Sequence, residues 1–142
     1  MTSKSILLNA FFSTAREDPN RIAIFHKNEK VTYGKLSEHV ERLGHFIRNI
    51  ENPGPVAIHL NRTPYLIAAL FGCWHSGRAF IALDPTHPIE RKKKILTDSK
   101  PSLVITDRPL GLSKEVNIHD LRLSKIKQNE NPIKETNLAY IL

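Results

Sequence analysis

Residues 56–106 have the sequence VAIHLNRTPYLIAALFGCWHSGRAFIALDPTHPIERKKKILTDSKPSLVIT, in which short apolar runs alternate with longer helical patterns. The runs at 56–60, 79–84 and 102–106 are rich in β-prone residues and predict three buried strands. Their order with the intervening helices implies right-handed crossovers between parallel strands. We therefore predict an α/β fold in which a mainly parallel sheet is flanked by helices.

The ends of the two intervening helices carry characteristic residues. Thr63 followed by Pro64 predicts a helix start, with a hydroxyl cap and a proline in the first turn where no donor is lost. Gly77 predicts the left-handed turn that ends this helix. Because the helix is apolar on nearly every side, it should be buried in something larger than a two-layer surface. The second helix opens at Pro88, and its sparse apolar side is Ile89, Ile95 and Leu96.

The residues before this stretch predict a helix, a hairpin and another helix. The apolar residues of the first segment recur at helical spacing, which favours an amphipathic helix over a signal peptide. These residues are Leu7, Leu8, Phe11, Phe12 and Ala15. The apolar runs at 21–25 and 31–33 flank a polar turn and predict a β-hairpin. The next helix has Thr32 as its expected cap and ends at the ENPGP segment, 51–55. Its apolar stripe is Leu36, Val40, Leu43 and Ile47.

The pattern weakens after the third strand. From 107 to 137 turns and charged residues dominate, and we expect a weakly structured connecting region with one short strand at 115–119. The final run 138–142, LAYIL, predicts a further core strand. Since 142 residues is one domain's worth of chain, we treat 1–142 as part of a single domain.

Composition excludes several classes of protein. Hydrophobic content is 40% and charged content 25%, as in ordinary globular domains, so disorder is not expected over most of the length. The longest apolar run, 65–74, is shorter than the roughly 20 residues that a transmembrane helix needs. The single cysteine, Cys73, excludes an internal disulfide and fits a reducing compartment. Because the N-terminus favours an amphipathic helix over a signal peptide, we expect a cytoplasmic location. Within its apolar helix Cys73 is expected to be a small core residue rather than a nucleophile.

The net charge of +7 could indicate an anionic partner such as nucleic acid. The basic residues are scattered, however, apart from the RKKK run at 91–94 and the polar region after residue 113. No aromatic residues interleave with them to stack on bases. A solvated helix face explains the 91–94 run more economically, and no nucleic-acid or membrane partner is expected.

No residue is assigned to a catalytic, cofactor-binding or metal site. None of the six glycines forms a G-x-G-x-x-G or P-loop pattern. The seven histidines, at 26, 39, 45, 59, 75, 87 and 119, include no i, i+4 pair, so scattered histidines are expected rather than a metal site. Asp84 follows a strand, where catalytic residues often lie, but the DPTHP sequence favours a turn cap. Asp98 and Asp107 are expected in similar positions.

Two segments resemble motifs of the adenylate-forming (AMP-binding) enzyme superfamily. Residues 31–48, VTYGKLSEHVERLGHFIR, resemble its early motif, a threonine-tyrosine pair before a leucine-bearing helix. Residues 66–106 resemble the next motif more specifically. There an apolar helix ends in a small residue and glycine, and a strand, an Asp-Pro-x-x-Pro turn, a Glu-Arg pair and a helix follow. The matching residues are Gly77, Ala79, Asp84, Pro85, Pro88, Glu90 and Arg91.

The resemblance covers about 7–142, and the most similar subgroup comprises amino-acid adenylation domains of nonribosomal peptide synthetases and D-alanine carrier-protein ligases. Trp74, His75 and Arg78 depart from the commoner residues of the pattern. The resemblance implies the N-terminal subdomain of the adenylate-forming fold, incomplete, hence a partial adenylation domain over 1–142. The 138–142 run resembles the strand that leads into a Ser/Thr/Gly-rich loop ending in lysine, which holds the ATP phosphates.

By this resemblance the complete enzyme would be an ATP-dependent ligase. It would activate a carboxylic acid, expected to be an amino acid, as acyl-AMP and pass the acyl group to a carrier-protein thiol. ATP and Mg²⁺ are implied for that enzyme, and no cofactor is expected in this chain. The phosphate loop, the substrate pocket and the catalytic lysine are expected to lie beyond residue 142. We therefore expect a truncated fragment that is inactive alone.

Two alternatives stay open. The chain could be a non-catalytic interaction module, or half of a split adenylation enzyme whose partner pairs with the apolar 138–142 run. Its partners would then be the remainder of the enzyme or a carrier protein. A small basic nucleic-acid binder is supported by charge alone, and would need salt-sensitive binding to nucleic acid.

Overall fold

The computed structural model describes residues 3–112 and 114–121. The predicted strand at 138–142 and the region from 122 to 137 lie outside these described residues. The elements in chain order are α1 (Ser3–Glu17), β1 (Ile22–His26), β2 (Glu29–Thr32), α2 (Tyr33–Arg48), β3 (Val56–His59), α3 (Pro64–Ser76), β4 (Phe80–Ala82), α4 (Ile89–Ser99), β5 (Leu103–Thr106) and β6 (Glu115–Asn117), followed by a 3₁₀ turn (Ile118–Asp120).

Four strands form a parallel sheet in the order β4-β3-β5-β6. Strand β3 is central: Val56 pairs with Phe80 of β4 and with Leu103 of β5. Strand β6 extends the sheet beside β5, with Val104 opposite Glu115. The predicted hairpin is also present, as β1 and β2 pair antiparallel. The predicted α/β class with its parallel sheet is confirmed, although β4 and β6 are shorter than expected.

Alternate residues of the strands point to two separate cores, as the period-2 geometry of a strand requires. Val56, Ile58, Leu103 and Ile105 join α2 and α3 in the larger core on one face. Ala57 and Val104 pack with Ile95 and Leu96 of α4 on the other. The sheet therefore lies between two helical layers, and its strands are apolar on both sides.

Helix α2 forms as its sequence predicts. Its cap is Thr32, whose hydroxyl accepts a hydrogen bond of 3.1 Å from the Lys35 amide. The whole predicted stripe is buried, because residues at these offsets share one helical face: Leu36, Val40, Leu43 and Ile47.

Helix α3 ends at Gly77, whose φ of 78° is the left-handed conformation expected there. Its start differs from the prediction: Thr63 occupies the cap position, but its hydroxyl makes no capping bond. Instead its carbonyl accepts a hydrogen bond of 3.0 Å from the Leu66 amide. Only one face of α3 is fully buried, so within the described residues the all-round burial predicted for this helix is not observed.

Three side chains are placed differently from their sequence-based predictions. Leu7 of α1 and Ile89 of α4 are exposed, although an apolar face predicts burial for each. The 91–94 run predicts a solvated Lys92, but this residue is buried and its Nζ donates to the Pro85 carbonyl at 2.9 Å. The ammonium thereby fastens the first turn of α4 to the turn that precedes it.

Helices α2 and α3 approach each other through glycines. An added Cβ on Gly72 would lie 2.8 Å from Leu43 Cβ, and one on Gly44 would lie 2.8 Å from His75 Cδ2. Each position is inside a helix, where glycine is otherwise unfavourable by about 1 kcal/mol. The close crossing of the two helices therefore leaves no room for a Cβ at Gly72, and at Gly44 it leaves none while the His75 ring keeps its place.

Arg78, one of the departures from the family pattern, ties the loop before β3 to the sheet. Its guanidinium donates to the carbonyls of Ile50, Asn52 and Gly54 and to the hydroxyl of Ser102. These acceptors belong to the ENPGP loop and its flank and to the start of β5. The long cationic side chain thus supplies donors to backbone carbonyls outside the regular elements.

His75, another departure, should make the stability of the protein depend on pH. Its ring lies 4.9 Å from the Phe12 ring, and burial together with the nearby Arg48 charge lowers its pKa to about 4. The folded protein therefore favours the neutral imidazole, whereas the unfolded chain takes up a proton below its ordinary pKa of 6.5. We expect the free energy of unfolding to fall by about 2 kcal/mol as pH falls through this range, after allowance for partial exposure.

Urea denaturation at neutral pH and at pH about 4.5 measures this loss. His75→Phe keeps an aromatic ring against Phe12 and should remove most of the dependence. A part will persist, because burial also lowers the pKa values of His39 and His59. An undiminished pH dependence in the variant would contradict the assignment.

Candidate functional site

The carboxyl ends of β3, β4, β5 and β6 lie along one edge of the sheet, because all four strands run in parallel. In open α/β sheets ligands bind outside this edge. Four polar residues follow or end these strands: His59, Asp84, Thr106 and Asp107. This edge of the sheet is therefore the candidate functional site.

Asp84 closes the turn between β4 and α4. Its Oδ1 accepts hydrogen bonds from the Thr86 amide at 2.8 Å and from the Thr86 hydroxyl at 2.7 Å. These two bonds lower the pKa of the Asp84 carboxyl, and the nearby His87 adds to the effect. The carboxylate thus stabilises the DPTHP turn, which is the role that the turn sequence favours.

Asp107 is also held by local hydrogen bonds. Burial alone would raise its pKa, but the Asn61 amide and the Arg108 side chain, both at 2.9 Å, outweigh burial and lower it. The bond from Asn61 links the loops that follow β3 and β5. Asp98 does not share this setting: it lies inside helix α4, so the expectation that it resembles Asp107 is wrong.

The pairing register of β3 and β5 brings His59 opposite Thr106. Both are buried, and His59 Nδ1 lies 3.0 Å from Thr106 Oγ1. The hydroxyl donates to the Arg108 carbonyl at 2.7 Å, so the histidine must supply the proton of the shared bond. Burial, together with Lys92 and Arg108, lowers the pKa of His59 and favours the neutral ring.

This arrangement leaves the His59 Nε2 as a bare acceptor. Neither Nε2 nor the buried Nη2 of Arg108 has a hydrogen-bond partner within the described residues. Buried polar atoms without partners are uncommon in folded proteins. The sequence presents His59 only as one of several scattered histidines, and the available signal was a histidine that ends an otherwise aliphatic strand.

A cavity of about 350 Å³ opens at the same edge, between the hairpin, α2, the start of α3 and the loop after β5. The Tyr65 ring lies 6.0 Å from the His39 ring and 5.2 Å from the His119 ring, with T-shaped geometry in both pairs. The volume of the cavity is in the range of small-molecule sites. The ionisable residues that line it include His26, Glu29, Lys35, His39, Asp107 and His119.

Three histidines that look unrelated in the sequence thus share one cavity. They do not amount to a metal site: residues 3–112 and 114–121 contain no group of three His, Cys, Asp or Glu side chains that could hold a metal ion. Cys73 lies elsewhere, fully buried in the larger core, and burial raises the pKa of its thiol. The thiolate that a nucleophile requires is therefore strongly disfavoured there.

No helix in the described part of the chain is long and apolar enough to cross a bilayer.

Known proteins resemble this chain in sequence. The model of the "AMP-binding enzyme" family matches residues 11–140. N-(5-amino-5-carboxypentanoyl)-L-cysteinyl-D-valine synthase of Amycolatopsis lactamdurans is 28% identical over 138 residues, which cover 94% of this chain and 4% of that protein. D-alanine–D-alanyl carrier protein ligase of Staphylococcus haemolyticus is 26% identical over 132 residues, 93% of this chain and 26% of the ligase.

A solved structure has a fold similar to that of this chain. The N-terminal subdomain of Klebsiella oxytoca NpsA, in complex with 3-hydroxybenzoyl-AMSN, matches with a TM-score of 0.81 at 20% identity. The match covers 96% of this chain and 36% of that one. The chain therefore spans a minor part of each relative, and its fold is that of an N-terminal subdomain of adenylation domains. On the match over residues 11–140, this chain belongs to the AMP-binding enzyme family.

Proposed function

We propose that this chain forms the N-terminal part of a ligase that activates an amino acid as its adenylate. The observation that carries the proposal is the family match over residues 11–140, in a chain whose relatives include a D-alanine–D-alanyl carrier protein ligase. In the complete enzyme a carboxylate oxygen would attack the α-phosphorus of ATP and pyrophosphate would leave. A carrier-protein thiol would then attack the acyl carbon and AMP would leave.

The described residues support a scaffolding role in this reaction. The complete enzyme would use ATP and Mg²⁺, but the described residues gather no metal-binding group at the sheet edge. Asp84 and Asp107 follow strands on opposite sides of β3, and each accepts a hydrogen bond from a backbone amide. We infer that both carboxylates shape loops at this edge, and that the chain by itself activates no acid.

Pyrophosphate exchange across the common amino acids tests the inactivity of the isolated chain. The Staphylococcus haemolyticus ligase with D-alanine serves as the positive control. We expect no exchange above background from the chain at protein concentrations where the ligase gives a clear signal. Amino-acid-dependent exchange by the chain alone would overturn this part of the proposal.

A chimera tests the scaffolding role directly. Residues 11–140 of this chain would replace the equivalent segment of the ligase, and the chimera should retain D-alanine-dependent exchange. A matched chimera that carries Gly72→Leu should lose it, because leucine cannot fit where a Cβ would already lie 2.8 Å from Leu43. A folded but inactive first chimera would contradict the proposal.

The second candidate is a non-catalytic half of a split enzyme. It is favoured by apolar side chains that the described fold leaves exposed, among them Ile6, Leu7 and Tyr65. Its partner would be a polypeptide corresponding to the remainder of the ligase. Size-exclusion chromatography of the chain mixed with that part of the Staphylococcus haemolyticus ligase tests this candidate. Co-elution with restored exchange supports it, and separate elution rejects it.

We further propose a cytoplasmic location for the chain. The support for it is Cys73, which is buried as a free thiol, as is usual for cysteines in a reducing compartment.

A further inference from the structure

The structure contains a second concave surface, at the end of the sheet opposite the candidate site. It is a groove of about 540 Å³ between α4 and the residues that precede β5 and β6. We call it the basic groove and define it by Lys93, Leu96, Lys100, Val104, Leu112 and Lys114. We propose that the basic groove binds a phosphate monoester that carries an apolar group. This inference is independent of the function proposed above.

Charge is the first observation. Three of the residues that line the groove are exposed lysines, and none of its described lining residues is acidic. Glu115, the residue after Lys114, accepts hydrogen bonds from the Leu110 and Leu112 amides at 3.0 and 3.3 Å. Its carboxylate is thereby held in the turn before β6, and the charged residues that line the groove itself are all lysines.

The floor of the groove is apolar. Val104 is buried, and Leu96 and Leu112 are each half-buried, so apolar side chains line the groove together with the lysines. Removing such surface from water contributes about 25 cal/mol per Å². A ligand that covers this floor with a ring while placing an anion among the lysines would satisfy both features together.

The backbone at two of the lysines is strained. Lys100 has a φ of 48° and Lys114 a φ of 65°, and these are two of the three non-glycine residues with positive φ in the described chain. Lys100 donates its amide to the Leu96 carbonyl, and the Lys114 carbonyl accepts from the Val104 amide, both at 3.0 Å. Each strained lysine is thus bonded to a residue of the floor. Strain of this kind costs about 1 kcal/mol or more, and it is concentrated at functional sites.

The number and type of cations select the anion. Lysine ammonium groups bind phosphate as point charges. A phosphate monoester carries between one and two negative charges at neutral pH. It therefore balances the charge of three lysines better than a carboxylate, which carries one. The volume of the groove is within the range of small-molecule sites. The ligand class is therefore a phosphate monoester whose organic part is about the size of one aromatic ring.

Isothermal titration calorimetry on the full chain tests the proposal with three probes: phenyl phosphate, inorganic phosphate and phenol. We expect phenyl phosphate to bind about tenfold more tightly than either of the other two, and added salt to weaken it. Amide shifts in NMR spectra should map to Val104 and Lys114. Equal binding of inorganic phosphate, equal binding of phenol, or no binding of phenyl phosphate at about 1 mM would each overturn the proposal.

Two matched double variants separate this site from non-specific charge attraction. Lys93→Gln/Lys114→Asn removes two groove lysines, with asparagine chosen because it tolerates positive φ. Lys30→Gln/Lys94→Gln removes the same charge outside the groove, Lys94 being the helical neighbour of Lys93. We expect about tenfold weaker binding in the first pair and a change of less than about twofold in the second. Equal weakening in both pairs would overturn the proposal. Circular dichroism verifies folding, and Lys93→Gln alone replaces the first pair if it fails to fold.

Discussion

Replacing Arg78 with alanine is expected to lower the free energy of unfolding by about 3 kcal/mol. The substitution removes the guanidinium that donates hydrogen bonds to the carbonyls of Ile50, Asn52 and Gly54. These carbonyls, at a partly buried site, then lose the donor. Charge-assisted hydrogen bonds are about twice as strong as neutral ones, so several lost together outweigh any gain in side-chain entropy. Urea denaturation of the wild-type and variant chains measures the change.

Two further variants control this prediction. Arg78→Lys keeps the charge but not the planar fork, and should recover less than half of the loss. Arg91→Ala removes an exposed arginine from α4 and should change stability by about 0.5 kcal/mol at most. Hydrogen exchange in the Arg78→Ala variant should also be faster at the Ser102 amide, which donates to Pro55 at the end of the clamped loop. If Arg78→Ala and Arg91→Ala lowered the free energy of unfolding equally, the hydrogen bonds of Arg78 would not explain its effect. The effect would then come from the loss of one positive charge.

Replacing Gly72 with alanine should destabilise the protein by about 2 kcal/mol, although alanine favours a helix over glycine by about 1 kcal/mol. The added Cβ would lie 2.8 Å from Leu43 Cβ. Both atoms are attached directly to helical backbone, so no rotamer change can separate them. Only a shift of α3 away from α2 relieves the contact, and that shift loosens packing in the larger core. Urea denaturation measures the loss, and a stabilised variant would refute this explanation.

Gly44 provides the matched comparison at the same crossing. Its added Cβ would meet His75 Cδ2, the edge of a ring that truncation can remove. Gly44→Ala should therefore lower the free energy of unfolding of the wild-type protein, and lower that of the His75→Ala variant by less. Gly72→Ala should lower the free energy of unfolding by the same amount in both backgrounds. A double-mutant cycle reports the coupling in each case. Equal coupling at both glycines would contradict the geometry of the crossing.

Much of the fold follows from local patterns. The stripe of α2, its Thr32 cap and the left-handed Gly77 were predictable, because periodicity and capping involve residues a few positions apart. The parallel direction of β3, β4 and β5 followed from the alternation of strands and helices, whereas their order in the sheet was not predicted. The prediction for Lys92 failed because its partner lies outside its own helix. Lys92 is buried with its ammonium donating to the Pro85 carbonyl in the preceding turn, a contact that charge patterning within α4 does not reveal.

The candidate site and the basic groove were less accessible from the sequence. His59 and Thr106 are 47 residues apart and meet only through the register of β3 and β5. Arg78 reaches carbonyls 24 to 28 residues away. The histidines around the cavity come from three separate elements, and no spacing rule relates them. A one-residue slip in register would separate His59 from Thr106, since it turns a strand's side chains to the other face.

From its residues alone this chain could be recognised as a parallel α/β scaffold of the AMP-binding type, because local periodicity, turn chemistry and motif order are properties of contiguous segments. Only the folded chain shows which polar groups form hydrogen bonds with each other. It also shows which buried polar atoms lack a partner within the described residues, and which side chains surround the cavity. Strand register and helix crossing set those distances, and both depend on contacts between segments far apart in sequence.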